Sequence, residues 1–332
     1  MKAIIGITLG DPAGVGPEIV ARALAGPNRP ADRSFAVYGD TGVLRLAARA
    51  CGISLDVVEI EDPGQAPDRG IGVLAGPEPL RDHAFGEPRA EHVPAVLSWI
   101  ERAARDAIEG RIGALVTAPI NKGLIAAHTG KMEGHTEMLA RLTGAGNPVM
   151  LMRGPSLSCV PLTTHIPLSE VPAALSVDLV VSKIGVLADG LIRYFGLPSP
   201  RIALAGLNPH AGEGGALGNE EATILDPAAR ALREAGRDLS GPVSADAVFR
   251  EAVKGRYDAV VCCYHDQALI PFKLLHFADG VNVTLGLPIV RTSPDHGTAY
   301  DIAGRGIADA RSMEAAVATA VEMVQNAGRT GI

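Results

Sequence analysis

Large rings are scarce in this chain. Phe, Trp and Tyr make up only 4% of its 332 residues, so Ala, Val, Ile and Leu must fill the core. Residues of that kind suit buried parallel strands covered by helices. Cysteine is also rare: Cys51, Cys159, Cys262 and Cys263 contain no C-x-x-C pair. That spacing argues against a disulfide framework and favours a reduced setting. No apolar run approaches the roughly 20 residues that span a bilayer, and the first residues lack a basic segment followed by an apolar one. A cytoplasmic protein without a membrane partner is therefore expected. Positive charge is in deficit, with a formal net charge of −7, which makes nucleic acid a poor default partner. Repeats and low-complexity tracts are missing too.

What is present is alternation. "AIIGIT", "SFAVYG", "GALVTAP", "RIALAGLNP" and "DAVVCCY" read as short buried strands. Between them, "EHVPAVLSWIERAARDAIEG" and "LVVSKIGVLADGLIRYFG" carry apolar residues at helical spacing and end at glycine. Alternating strands and helices predict an α/β protein with parallel pairing. The length allows two such domains. "EDPGQAPDRGIG" reads as a surface excursion. Polar chemistry gathers just past the strands, in "TAPINK", "TTHIPL", "LNPHAGEGG" and "YHDQ". Ligands of open α/β sheets bind at that end of the strands.

The opening stretch "IIGITLGDPAGVGPEIV" places glycine at 10, 14 and 16. This is neither G-x-G-x-x-G nor a P-loop, which would need lysine followed by Ser or Thr. A tight strand-to-helix connection, with Pro17 in the first helical turn, explains it without a ligand.

Three histidines follow strands: His165, His210 and His265. Neutral imidazoles suit zinc, cobalt or nickel, yet their separation matches no local zinc motif. Each alone reads more readily as a surface or hydrogen-bonding residue; their shared setting is what supports a metal site. Further on come Asp266, Lys273, Asn282, Arg291, Asp295 and His296. Lys273 and Arg291 lie in apolar sequence and could neutralise a phosphate or carboxylate.

"HGTAYDIAGRGIAD", residues 296 to 309, resembles the loop of the isocitrate and isopropylmalate dehydrogenase superfamily that binds the adenosine half of NAD or NADP. "GDPAGVGPEIV" is similar to that group's "GDGIGPE". Tyr300 stands where the superfamily has proline, and Asp309 where it has asparagine. Within the superfamily, the chain resembles the 4-hydroxythreonine-4-phosphate dehydrogenase family almost end to end. The resemblance is carried by "GDPAGVGPEI", "TAPINK", "GHTE", "TTHIPL", "GLNPHAGEGG", "ADAVF", "YHDQALIPFK" and "NVTLGLPIVRTSPDHGTA". Ala247 departs from it, since many members have threonine after the aspartate matched by Asp246.

The resemblance implies an isocitrate/isopropylmalate dehydrogenase-like fold, with two α/β/α domains flanking an active-site cleft. Residues 1–145 plus 268–332 would form the domain with the NAD loop, and 146–267 the domain with metal ligands and dimer contacts. It implies one divalent metal (Zn, Mg or Co) on His165, His210 and His265. Substrate contacts would come from His135, Thr136, Lys273, Asn282 and Arg291. Cofactor contacts would come from His296, Gly297 and Asp301, with NAD or NADP as cofactor. Asp246, Asp266 and Lys273 are the catalytic candidates, and a homodimer with shared active sites is expected. The implied reaction is oxidation of 4-phosphooxy-L-threonine, followed by decarboxylation, on the way to pyridoxine 5′-phosphate. The alternatives are a paralogue acting on 4-phospho-D-threonate or D-erythronate 4-phosphate, a dihydrodiol dehydrogenase of aromatic catabolism, and a non-catalytic metal- or nucleotide-binding module.

Overall fold

The computed structural model describes residues 3–76 and 79–330. The chain folds as two compact units, Met1–Pro148 with Leu287–Gln325, and Val149–Gly286 with Asn326–Ile332. The first holds β1 (Ile5–Thr8), β2 (Phe35–Tyr38), β3 (Val57–Glu59), β4 (Ile71–Leu74) and β5 (Ala114–Thr117). The second holds β6 (Val149–Arg153), β7 (Ser158–Pro161), β8 (Ile202–Ala205), β9 (Leu239–Val243), β10 (Ala259–Cys262) and β11 (Val281–Leu285). The chain then returns to the first unit for β12 (Arg291–Pro294).

The five runs read as strands from sequence form β1, β2, β5, β8 and β10. In the first unit the order is β3-β4-β2-β1-β5-β12, parallel throughout. β1 is paired with β2 on one side and β5 on the other, so the chain reverses its direction of travel across the sheet there. That reversal opens a crevice at the C-terminal end of β1 and β5. The Asp11 and Pro119 turns meet at it, through a 2.8 Å backbone bond from Asp11 N–H to the Pro119 carbonyl.

The second unit departs from the all-parallel expectation. β7, β10, β8 and β9 are parallel, but β6 runs antiparallel to both β7 and β11. Its connection to β7 is a turn closed by Gly154 N–H on the Leu157 carbonyl at 3.0 Å, far too short for a crossover. The ladder of β11 with β6 covers the whole of both strands. It keeps helix His265–His276 and β11 in the second unit, so the return to the first falls at Leu287, later than the expected 268.

Helix Val93–Ile108 and helix Val177–Phe195 lie where their periodicity placed them. The second is capped by the Ser176 hydroxyl and closed by Gly196 at φ +66°, a left-handed position that glycine takes without a Cβ penalty. Met152, Cys159, Val260, Cys262 and Phe272 pack together in the core of the second unit. All four cysteines are free. Among the described residues no single helix is long and apolar enough to cross a membrane.

Candidate functional site

The opening glycines serve close packing. Gly10 sits at φ +76° with the Pro119 carbonyl against its Cα, and a Cβ on Gly14 would lie 2.9 Å from the Thr298 carbonyl oxygen. The space that Gly14 leaves receives the 296–309 loop. Val15 N–H donates to the Thr298 carbonyl at 2.9 Å, the buried Glu18 carboxylate accepts from Gly304 N–H, and Arg22 donates to the Gly306 carbonyl. The first helix is thus a bed for a loop nearly 300 residues away in sequence, which no local motif records.

On that loop His296 and Tyr300 are half-buried, while Gly297 and Asp301 are exposed. The His296 Nδ1 faces the Gly297 carbonyl at 3.0 Å, and its Nε2 has no partner. A Cβ at Gly297 would meet open space. Asp309 is held by Arg311 in a two-pronged ion pair, at 2.6 and 3.0 Å. An orphaned ring nitrogen, an open glycine and an exposed carboxylate fit the edge of a nucleoside; Asp309 is already engaged by Arg311.

A second cluster in the first unit has the character of an anion pocket. Arg291 is 3% exposed and donates from Nε and Nη2 to the Thr117 hydroxyl, at 3.2 and 2.7 Å. Burial pushes its guanidinium down to about 10, with Glu137 opposing, so it remains a cation at neutral pH. His135 begins helix His135–Thr143. Its residue is 9% exposed and its Nε2 is unpartnered. Burial, then Arg291 and Lys122, hold the imidazole well below its ordinary value. A Cβ on Gly134 would lie 3.1 Å from the Lys122 ammonium. Thr136 is half-buried on the same first turn. Two cations, a neutral ring with a free nitrogen and a helix N-terminus together suit an oxyanion.

The remaining site residues belong to the second unit. His165, at φ +52°, follows β7, and its ring lies 5.8 Å from that of His265 between centroids. His265 opens helix His265–His276, and its Nδ1 meets an Asp266 carboxylate oxygen at 2.7 Å. A carboxylate on Nδ1 leaves Nε2 as the outward donor, which is the usual support for a metal-bound imidazole. His210 lies in a turn whose residues His210 to Gly214 all have positive φ. Asn208 steadies that turn, donating to Glu221 from N–H at 2.8 Å and to Glu220 from Nδ2 at 2.7 Å. Asp246 accepts from the Ser244 hydroxyl at 2.5 Å; that bond, with help from His210, holds its carboxyl below the usual range.

Among the described residues, no group of three or more His, Cys, Asp or Glu side chains is close enough to hold a metal ion. His165 and His265 are brought together, and His210 bears electrostatically on Asp246. Lys273 is half-buried along the Asp266 helix. Asn282, on β11, has a buried Oδ1 without a partner.

Lys122 closes "TAPINK", but the amino-acid order alone does not mark it as a site residue. Its signal was a lysine directly after a strand-end turn, which on its own cannot be told from a solvated one. The contacts of Tyr300 were equally invisible, because its partners come from two distant turns.

Comparison with known proteins identifies the family. The family model described as pyridoxal phosphate biosynthetic protein PdxA matches residues 31–320. A 4-hydroxythreonine-4-phosphate dehydrogenase of Desulfosudis oleivorans is 46% identical over 331 residues, covering 99% of this chain and 98% of that protein. A crystal structure of a 4-hydroxythreonine-4-phosphate dehydrogenase from Klebsiella pneumoniae is 40% identical with a TM-score of 0.87, covering 98% of this chain and 99% of that one. An isocitrate dehydrogenase from Methylococcus capsulatus, 15% identical, covers 99% of this chain and 87% of that one, with a TM-score of 0.51. That last likeness concerns the fold alone, and it agrees with an isocitrate dehydrogenase-like α/β architecture.

Proposed function

The chain belongs to the family of the pyridoxal phosphate biosynthetic protein PdxA, and from that premise we propose that it is a 4-hydroxythreonine-4-phosphate dehydrogenase. The observation that carries this reading is the near full-length identity to enzymes of that name. Lys122 and the buried Arg291, both bearing on His135, support it chemically, because a phosphorylated substrate needs such cations.

The reaction oxidises the C3 hydroxyl of 4-phosphooxy-L-threonine to a ketone, with loss of one hydride and one proton. The product is a β-keto acid, which loses CO2 to leave 3-amino-2-oxopropyl phosphate. When bound, the nicotinamide would supply the hydride acceptor, and a divalent ion would polarise the hydroxyl oxygen. In this reading Lys122, His135, Thr136 and Arg291 grip the phosphate, while Lys273 and Asn282 serve the rest of the substrate. His165, His210 and His265 would hold the ion, a set that the described residues of one chain do not bring together and that a second copy would complete. Imidazole donors suit zinc or cobalt better than magnesium, which prefers oxygen. Asp266 orients His265 through Nδ1, and Asp246 and Lys273 remain the groups for moving a proton. The free cysteines are compatible with a reduced, cytoplasmic setting.

The test is NADH production by metal-reconstituted protein from 4-phosphooxy-L-threonine, 4-phospho-D-threonate and D-erythronate 4-phosphate. The proposal expects the first to be preferred; preference for either of the others assigns the chain to a sugar-acid paralogue.

The exposed Asp301 carboxylate would accept from the adenosine ribose hydroxyls and repel a 2′-phosphate. NAD should therefore outperform NADP. Asp301→Ala should raise KM for NAD more than KM for substrate. Equal efficiency with both dinucleotides would remove Asp301 from this role.

A homodimer is also proposed. On helix His265–His276 and its cap, Ile270, Leu274 and Phe277 are 67%, 83% and 78% exposed. They recur at i, i+4 and i+7, forming one apolar stripe, and Leu168 is also exposed. A second copy of this chain would cover the stripe. Leu274→Asp with Phe277→Asp should yield monomers in sedimentation and lower metal-dependent turnover. A double variant that stays dimeric would place the interface elsewhere.

A further inference from the structure

Tyr300 occupies the position where the superfamily loop has proline, and its hydroxyl is fully used. It donates to an Asp11 carboxylate oxygen at 2.6 Å and accepts from the Asn121 Nδ2 at 2.8 Å. Both partners are fixed in turns of the first unit. The other Asp11 oxygen accepts from Ala13 N–H at 2.9 Å, and Asp11 N–H reaches the Pro119 carbonyl. Asn121 caps helix Lys122–Thr129, its Oδ1 accepting from Leu124 N–H at 3.0 Å. Lys122 is the first residue of that helix, and its ammonium lies beside Gly134, next to His135. These Tyr300 hydrogen bonds, followed by the peptide link from Asn121 to Lys122, therefore connect the 296–309 loop to a cation of the anion pocket. Proline could supply none of them. Burial and the Asp11 bond both push the phenol's pKa up, so the hydroxyl keeps its proton and stays a donor.

We propose that Tyr300 is a positioning residue that ties the dinucleotide-binding loop to the Asn121 cap of the Lys122 helix, so that loop order and the placement of Lys122 in the anion pocket are coupled. This rests on the dehydrogenase reading. A hydrogen bond to a charged group is among the stronger ones. A tie of that kind transmits coupling in both directions.

The experiment uses Tyr300→Phe, which removes one oxygen and keeps the ring. NADH binding is read by fluorescence titration, and substrate KM and kcat by turnover. Tyr300→Phe should weaken NADH binding and raise substrate KM, each about fivefold or more, with kcat within about threefold of native. In a Lys122→Ala background the same change should still weaken NADH binding but no longer move substrate KM. If Tyr300→Phe folds poorly, judged by its melting temperature, Asn121→Ala probes the link from its other end. It should raise substrate KM in the native background and leave it unmoved beside Lys122→Ala. A loss confined to NADH affinity would overturn the coupling, as would an equal rise in substrate KM with and without Lys122. Native protein that binds no NADH would overturn the dehydrogenase reading itself, and this one with it.

Discussion

Arg291→Ala should lower kcat/KM for 4-phosphooxy-L-threonine at least tenfold. Arg291 is buried against Thr117, where charge-assisted hydrogen bonds contribute about 1.5–3 kcal/mol each, and about 1.4 kcal/mol is a factor of ten. A phosphate gripped away from the reacting C3 hydroxyl orients the substrate as well as binding it, so kcat should fall along with affinity. The unphosphorylated 4-hydroxythreonine should be a very poor substrate for the native protein. It should also be nearly indifferent to the substitution, because it never made the contact. Measuring both substrates on both proteins separates phosphate recognition from a general defect. If both slow by the same factor, Arg291 serves the carboxylate, the dinucleotide or the fold. Lys122→Ala should follow the same pattern.

Removing a histidine donor should have the other large effect. His265→Ala and His210→Ala should each abolish metal-dependent turnover while leaving the melting temperature nearly unchanged, since His210 is exposed in a turn and His265 is the half-buried first residue of its helix, both outside the core. Metal affinity, read by competition with a chromophoric chelator, checks this without relying on activity. Asp266→Asn keeps His265 but weakens its orienting contact, and a cost of about 10–100-fold in metal affinity is expected. His265→Ala should exceed that, because it deletes the donor itself. His128, exposed on helix Lys122–Thr129, is the control, and His128→Ala should do little. Near-native affinity in His210→Ala would take His210 out of the ligand set. That result matters because the structure pairs the rings of His165 and His265, while no such ring contact is found for His210 among the described residues.

Much of the architecture could be read in advance from the strand runs. "GALVTAP" and "DAVVCCY" are short, β-branched or small-residue segments bounded by turn residues, and a buried parallel strand satisfies them directly. The antiparallel β6 was not legible. Its residues Val149–Arg153 look like any other buried run, and only the tight turn at Gly154 decides its direction. The boundary near Leu287 was hidden for the same reason, since it depends on β11 pairing with β6.

The candidate site divides along a similar line. Periodicity, turn chemistry and strand-end placement are local, so the amino-acid order alone determined the α/β class, the polar loops and the histidines worth testing. Contacts between loops far apart in sequence are not local. That Gly14 is needed because Thr298 packs on it, that Glu18 holds the Gly304 amide, and that Lys122 reaches Gly134 and bears with Arg291 on His135 were decided by tertiary structure. The physical reason is that burial and charge proximity, which keep His135 neutral and settle Arg291 against Thr117, exist only once the parallel strands β5 and β12 are side by side.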